Sequence, residues 1–446
     1  MKNPNVTTIP RSMSLVTVPW FIAHPDSFFT FWRDKGSIVT FKLPGQPCFV
    51  ANDMGAIRDI LMGGLSEHYD IADMGMDVLG LLIGHTGVLT TRKGDRHDQA
   101  RLHLGRALRG PGLQRSSDIM WEEAKPIVDK MERFAHTKQS FDMAKLMGLY
   151  AIRVIARAVF GMDLTPEMIE TTRTAVEEGL DMVFPKMRMP FGWPLQWRPR
   201  FRHHLNALDE IVEHMILARQ KAGDWQEGKD VLSILLRLYD EKRIDLQEVR
   251  DNLKTMFIAG HETTASALTW LWHMLSEHPD LYDWIRDEAR AQHGPLTAAD
   301  RKNLRRLEAL INESMRLHPV ASLFARVAIS EHDLLGETIK PGTLAFFSNL
   351  ARHRDPNIWG DDADLVRPGR FLEDITPAHL KLIHTPFGGG NRTCLGLAFA
   401  MFEMLTLLIQ VSQRGLRMQL APKAKVKIIS AMTRHLPNLE MMAYHT

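Results

Sequence analysis

Cysteine is almost absent from this chain: of 446 residues, only Cys48 and Cys394 carry a thiol. That excludes a disulfide framework and a cysteine-rich zinc cage, and it suits a reducing compartment. Long apolar runs are missing as well. No segment reaches the roughly 18–20 uninterrupted apolar residues that span a bilayer. Leu15–Ala23 is too short, is broken by Thr17 and Pro19, and lacks a cleavage site after a charged start. Neither sign of charge is in excess, with 55 Lys and Arg against 53 Asp and Glu. No Pro/Gly/Ser-rich linker, charge block or internal repeat divides the sequence. No G-x-G-x-x-G turn in a βαβ setting marks a dinucleotide site, and nothing resembles a flavin or iron–sulfur module. A soluble, cytoplasmic protein is expected.

Length alone would suggest two or three domains, but the lack of linkers points to one large domain. Helical spacing dominates, as in Ile152, Ile155, Ala156, Val159 and Phe160, or Ile211, Val212, Met215 and Ile216. Strand-like runs are confined to the flanks: Ser37–Leu43 with Cys48–Val50, Arg326–Ile329, Thr343–Phe347 and Lys425–Ile429. The pattern predicts a mostly α fold with small β-sheets, β-rich at residues 37–50, 326–347 and 425–436. Cys48 falls in one of these runs and is read as a packed strand residue.

Cys394 stands in Phe387-Gly-Gly-Gly-Asn-Arg-Thr-Cys-Leu-Gly396, directly before an apolar helix predicted from Leu397 to Ile409. Glycines let the backbone turn tightly and approach a flat cofactor. Free N–H groups and the dipole at a helix start favour a negative sulfur. With no nearby residues to complete a metal cage, haem iron with one axial thiolate fits best. The plain alternative is a buried cysteine acting as a small hydrophobe.

Phe387, Gly390, Arg392, Cys394 and Gly396 resemble the haem-binding signature of the cytochrome P-450 family, the haem-thiolate monooxygenases. Gly388 is counted with them among the cofactor contacts. The resemblance implies the P-450 fold, with haem b between a long central helix and the cysteine-loop helix and with Cys394 on the iron. Three further segments match in order.

The first is Ala259-Gly260-His261-Glu262-Thr263-Thr264, inside a helix predicted over 245–277. Asp245 and Glu248 read as a capping box at its start, and Pro279 closes it. The segment breaks helix preference, since Gly260 alone costs about 1 kcal/mol relative to Ala. His261-Glu262 begins like a zinc-protease H-E-x-x-H, but Ala265 takes the place of the second ligand. In the family this spot opens the helix beside the haem. Transferred, Ala259, Gly260, Glu262 and Thr263 form the oxygen-activating site, with Thr263 as hydrogen-bonding hydroxyl and Glu262 as proton relay. Glu262 as a solvated helix acid is the alternative.

The second is Glu313-Ser-Met-Arg316, on a helix from Arg305 to Leu317. The family joins this pair to a later arginine, here Arg370 of Arg367-Pro-Gly-Arg-Phe371, in a structural cluster. Gly369 departs from the glutamate common there. The third is a set of basic residues for the haem carboxylates: His97 and Arg101 one turn apart on a helix, Arg326 on a strand, and Arg392 before the cysteine. Buried carboxylates require such partners.

By the same resemblance the substrate pocket draws on Met74, Met76, Val78, Leu79, Leu82, Phe184, Phe257, Leu323, Phe324 and Met432, roofed by Met187–Arg202. Methionine and aromatic side chains suit a pliable apolar substrate such as a fatty acid, terpenoid or polyketide. Arg92, Lys93, Arg96, Arg101, Arg106, Arg109 and Arg115 outnumber Asp95 and Asp98 in one stretch. A basic face there would steer an acidic ferredoxin or flavodoxin, served by its reductase. A nucleic-acid patch would need interleaved aromatics that are missing. The expectation is a monomeric monooxygenase that hydroxylates or epoxidises an apolar small molecule with dioxygen. A peroxide-driven or rearranging haem-thiolate enzyme and a non-catalytic haem sensor remain as alternatives.

Overall fold

The computed structural model describes residues 5–10, 13–43, 46–188, 194–430 and 433–445, with backbone alone at 14–15, 73–75 and 184–188. Helices dominate and small sheets lie at the flanks of one domain. The organising element is the central helix Leu246–Glu277, whose 32 residues extend about 48 Å at 1.5 Å per residue. Asp245 caps it by accepting the Glu248 N–H at 2.8 Å. The second half of the predicted capping box is not made. The Glu248 carboxylate turns outward to Arg96 at 2.6 Å, which ties the helix start to the helix Asp95–Leu108.

Nearly every side of the central helix is buried, so its polar residues need partners inside the protein. Asp251 accepts from the Thr86 N–H at 2.9 Å and the Thr86 hydroxyl at 2.8 Å. Asn252 accepts from the Val88 N–H at 3.0 Å, and Lys254 pairs with Asp209 at 2.9 Å. The expected opening at Gly260 is absent, and the helix is continuous. The local break in helix preference has a packing cause instead. A Cβ at Gly260 would lie 2.2 Å from Ile155 Cδ1, where the helix Met143–Val154 passes into the π-turn Ile155–Val159.

The helix after the cysteine, Leu397–Gln413, packs against the long helix Pro111–Thr137 and beneath the central helix. Residues from all three share the main apolar core. The larger sheet has six strands in the order Val6–Thr8, Ile38–Leu43, Gln46–Ala51, Leu344–Ser348, Leu323–Ala328, Tyr69–Ile71. Cys48 sits in its third strand, opposite Phe41 and Leu344, and is packed in the core as a strand residue. The predicted run Lys425–Ile429 contributes only Ile429–Ser430, paired with Arg434–His435. A three-stranded sheet of Leu416–Leu420, Glu440–His445 and Phe141–Asp142 was not anticipated, because its strands are short and its middle strand is the last in the chain.

Glu313, Arg316 and Arg370 meet in the core with almost no exposure. Arg316 forks onto Glu313 at 2.7 and 2.9 Å and donates to the carbonyls of His353, Ala363 and Leu365. Arg370 reaches Glu313 at 3.3 Å, and the Arg367 N–H donates to the same carboxylate at 2.7 Å. Both guanidiniums lie over the Trp359 ring. A buried ion pair is tolerable only when its remaining donors are satisfied in this way. Gly369 has open space around it, so packing does not require a glycine there.

Candidate active site

The cysteine loop is held by backbone. The Cys394 N–H donates to the Phe387 carbonyl at 2.8 Å, closing Phe387–Cys394 into a ring. Gly390 at φ +66° could carry no Cβ, because that atom would meet the Leu61 carbonyl oxygen at 1.9 Å. Gly388, at φ +71°, would carry its Cβ 3.5 Å from Phe324. Gly396 caps the following helix, whose first residue, Leu397, comes three positions after Cys394.

Cys394 is accessible to water, yet burial pushes its thiol up from the ordinary value. Both hold for a group lining an internal cavity. The Gly396 backbone and the guanidiniums of Arg101 and Arg109 oppose that rise but do not reverse it. A metal bound at the sulfur would supply the charge that favours its deprotonated form.

Ala259 and Thr263, one turn apart on the otherwise buried central helix, are accessible in the same way. The Thr263 hydroxyl donates to the Ala259 carbonyl at 2.6 Å, which leaves its lone pairs for an incoming donor. Glu262 points aside, where the Thr433 hydroxyl donates to it at 2.5 Å. Burial raises its carboxyl to about 7. Thr433 was not anticipated, since a threonine in a loop about 170 positions away gives no local signal.

The basic residues converge on the cysteine loop. Arg101 donates to the Thr393 carbonyl at 2.8 Å, and Arg392 donates to the Thr91 carbonyl at 2.8 Å and to Asp70 at 3.3 Å. Asp70 also accepts the Ile71 N–H, and it too was missed. A lone acid between Tyr69 and Ile71 in a buried strand was its only trace in the sequence. His97 is buried with Nδ1 on Asp98 at 2.9 Å, while Nε2 has no partner among the described residues. Arg326 has no carboxylate within ion-pair distance among them, and desolvation pulls its pKa to about 10. An orphaned imidazole nitrogen and a guanidinium beside Arg392 that has a hydrogen bond to the Ala325 carbonyl but no carboxylate are what a bound dianion would satisfy. The donor set fits a haem with two carboxylates.

Several expected pocket residues lie elsewhere. Leu79 and Leu82 are fully buried against Val176, Leu180 and Val183 of the helix Pro166–Arg188, and Phe257 packs against Phe160 with ring centroids 4.8 Å apart and planes tilted by 34°. Their helices turn them into the core, so they form the wall's backing. Met76, Val78, Leu323 and Phe324 are half-buried. Met432, and the side chains of Met74 and Phe184, fall outside the described residues, as does 189–193 of the roof. A separate cavity of about 670 Å³ opens between Arg96, His103, Leu238 and Arg243, and includes neither Cys394 nor Thr263.

The profile of the family described as Cytochrome P450 matches residues 7–436. The chain belongs to the cytochrome P450 family. Pentalenene oxygenase of Streptomyces avermitilis is 28% identical over 96% of this chain and 95% of its own. Cyclooctatin synthase of Streptomyces melanosporofaciens is 27% identical over 90% of this chain and 87% of its own. Mouse cytochrome P450 4V2 is 28% identical over 66% of this chain and 62% of its own. As a cytochrome P450, the protein is a haem-thiolate monooxygenase that acts on apolar small molecules and draws electrons from a redox partner. Among the described residues no helix is long and apolar enough to cross a membrane.

Proposed function

We propose that this P450 oxygenates a terpenoid hydrocarbon skeleton, using haem b ligated by Cys394. The observation that carries the site assignment is the exposure of Ala259 and Thr263 on an otherwise largely buried helix, together with that of Cys394 on a half-buried loop. The substrate class rests on the terpenoid-oxygenating relatives of near full-length overlap and on an apolar wall that includes Met76, Val78, Leu323 and Phe324. Bound there, haem would supply the iron at which dioxygen is activated for insertion into a C–H or C=C bond.

The chain's own residues divide the remaining work. His97, Arg101, Arg326 and Arg392 hold the two carboxylates, with Asp70 fixing Arg392 from behind. Thr263 offers an oxygen acceptor toward the cavity, held by its bond to Ala259. Glu262, with its carboxyl at about 7, can carry a proton inward and be recharged near neutral pH. Phe387, Gly388 and Gly396 shape the loop around the sulfur. Glu313, Arg316 and Arg370 anchor the segment that leads into it.

Electrons come from an acidic ferredoxin or flavodoxin with its reductase, steered by exposed Arg106 and Arg109 near the cysteine loop. A cytoplasmic, monomeric, bacterial enzyme is the form we infer. The test is the spectrum of the reduced, carbon-monoxide-bound protein, followed by spin-state titration with cyclic terpenes, fatty acids and polyketides. A strongly red-shifted Soret band establishes thiolate ligation, and a low- to high-spin change with terpenes alone establishes the substrate class. A Soret band at the imidazole position removes Cys394 from the iron. A response to fatty acids alone removes the terpenoid reading.

A further inference from the structure

On the side of the molecule formed by the end of the helix Pro111–Thr137, Glu132 and His136 stand one helical turn apart and His445 approaches from the strand Glu440–His445. One ligand atom from each of the three lies within 4.8 Å of the others. The two imidazole rings are 5.3 Å apart at an angle of 42°. We propose that Glu132, His136 and His445 form a binding site for a divalent transition ion, with Zn²⁺ as the reference ligand.

Three features argue for this. The donor set is two imidazoles and one carboxylate, which suits zinc-like ions and disfavours Mg²⁺ and Ca²⁺, whose sites are built from oxygen. The spacing is close to what the ion needs. Ligands about 2.0–2.1 Å from a tetrahedral ion are roughly 3.3 Å apart, so small side-chain rotations close the set. The local charge also favours a cation. Arg414 bridges Asp129 at 3.0 Å and one oxygen of Glu132, so two carboxylates share one guanidinium and a negative charge is left over. Asp129 keeps Arg414 occupied if Glu132 turns toward the ion.

The ion would join residues 136 and 445, which are far apart in sequence, and clamp the middle strand of the three-stranded sheet onto the helix. The site holds no cysteine and is separate from the Cys394 loop, so it stands or falls independently of the monooxygenase reading.

The experiment uses untagged holoenzyme, with its carbon-monoxide spectrum confirmed, stripped with a chelator and titrated with Zn²⁺ against a zinc-responsive dye. One ion per chain beyond the haem iron is expected, together with a higher thermal midpoint. His136→Ala and His445→Ala should each weaken binding at least about tenfold, since even outer partners of a metal site contribute 10–100-fold. The double variant should bind no ion while keeping its carbon-monoxide spectrum. Zinc-edge X-ray absorption should show nitrogen and oxygen neighbours with imidazole scattering. Absence of a stoichiometric site, unchanged affinity in the double variant, or sulfur around the zinc would each overturn the proposal.

Discussion

At the scale of single residues, Thr263 and Glu262 carry the most specific predictions. Thr263→Ala should leave haem binding intact and divert electrons to peroxide, with product per electron falling roughly tenfold or more, given that positioned proton-transfer groups contribute about 10²–10⁴-fold. Coupling equal to wild type would remove Thr263 from the chemistry. Glu262 makes a prediction about stability. Its carboxyl titrates at about 7 in the folded chain because it is buried, and it returns to the ordinary range on unfolding. The folded form therefore holds a proton that the unfolded form has lost, and stability falls as pH rises from about 4.5 to about 7. Glu262→Gln should cancel that slope and unfold at higher denaturant than wild type at pH 8, by about 3 kcal/mol as an upper figure. The two should converge near pH 4. Parallel pH profiles for both proteins would show that the carboxyl is not buried as described.

At the scale of elements, the cysteine loop depends on two supports. The first is the absence of a side chain at Gly390, where a Cβ would collide with the Leu61 backbone at positive φ. Gly390→Ala should lower the fraction of chains that retain haem, at a cost of about 1–3 kcal/mol, read from the Soret-to-protein absorbance ratio. The second is Glu313. Its loss strands the buried guanidinium of Arg316, whereas Arg370 keeps Asp362 at 3.3 Å, so Glu313→Ala should destabilise the protein by about 3–5 kcal/mol in denaturant unfolding. An effect below 1 kcal/mol would mean that water enters and solvates the cluster. Element structure was only partly legible beforehand. The central helix could be placed within a residue of Leu246–Glu277 because cap, spacing and stop all agree. The significance of Gly260 could not, because the atom that requires a glycine belongs to Ile155, about a hundred positions away.

At the scale of the whole molecule, charge distribution matters more than net charge. Arg96 is committed to Glu248 and Arg101 to the Thr393 carbonyl, while Arg106 and Arg109 are exposed and Arg109 lies within electrostatic reach of Cys394. Reversing both, Arg106→Glu with Arg109→Glu, should slow reduction by an acidic ferredoxin at least tenfold at low ionic strength, the lower end of electrostatic steering. The difference should shrink as salt screens the pair. A rate that is insensitive to both charge and salt would place the docking face elsewhere.

The sequence by itself determined the family, the mostly helical single domain, the cysteine loop and the two motifs on long helices. Each of these is a local pattern, readable within ten or so neighbouring residues. Only the tertiary structure decided which acid and which hydroxyl partner each other: Thr433 on Glu262, Asp70 behind Arg392, and Asp129 with Glu132 around Arg414. It also decided that Leu79, Leu82 and Phe257 face the core, and that burial pushes the Cys394 thiol up against the opposing pull of the Gly396 backbone, Arg101 and Arg109. The physical reason is the same in every case. Burial and pairing depend on groups brought together across roughly a hundred residues or more, and the periodicity of one segment carries no record of what will pack against it.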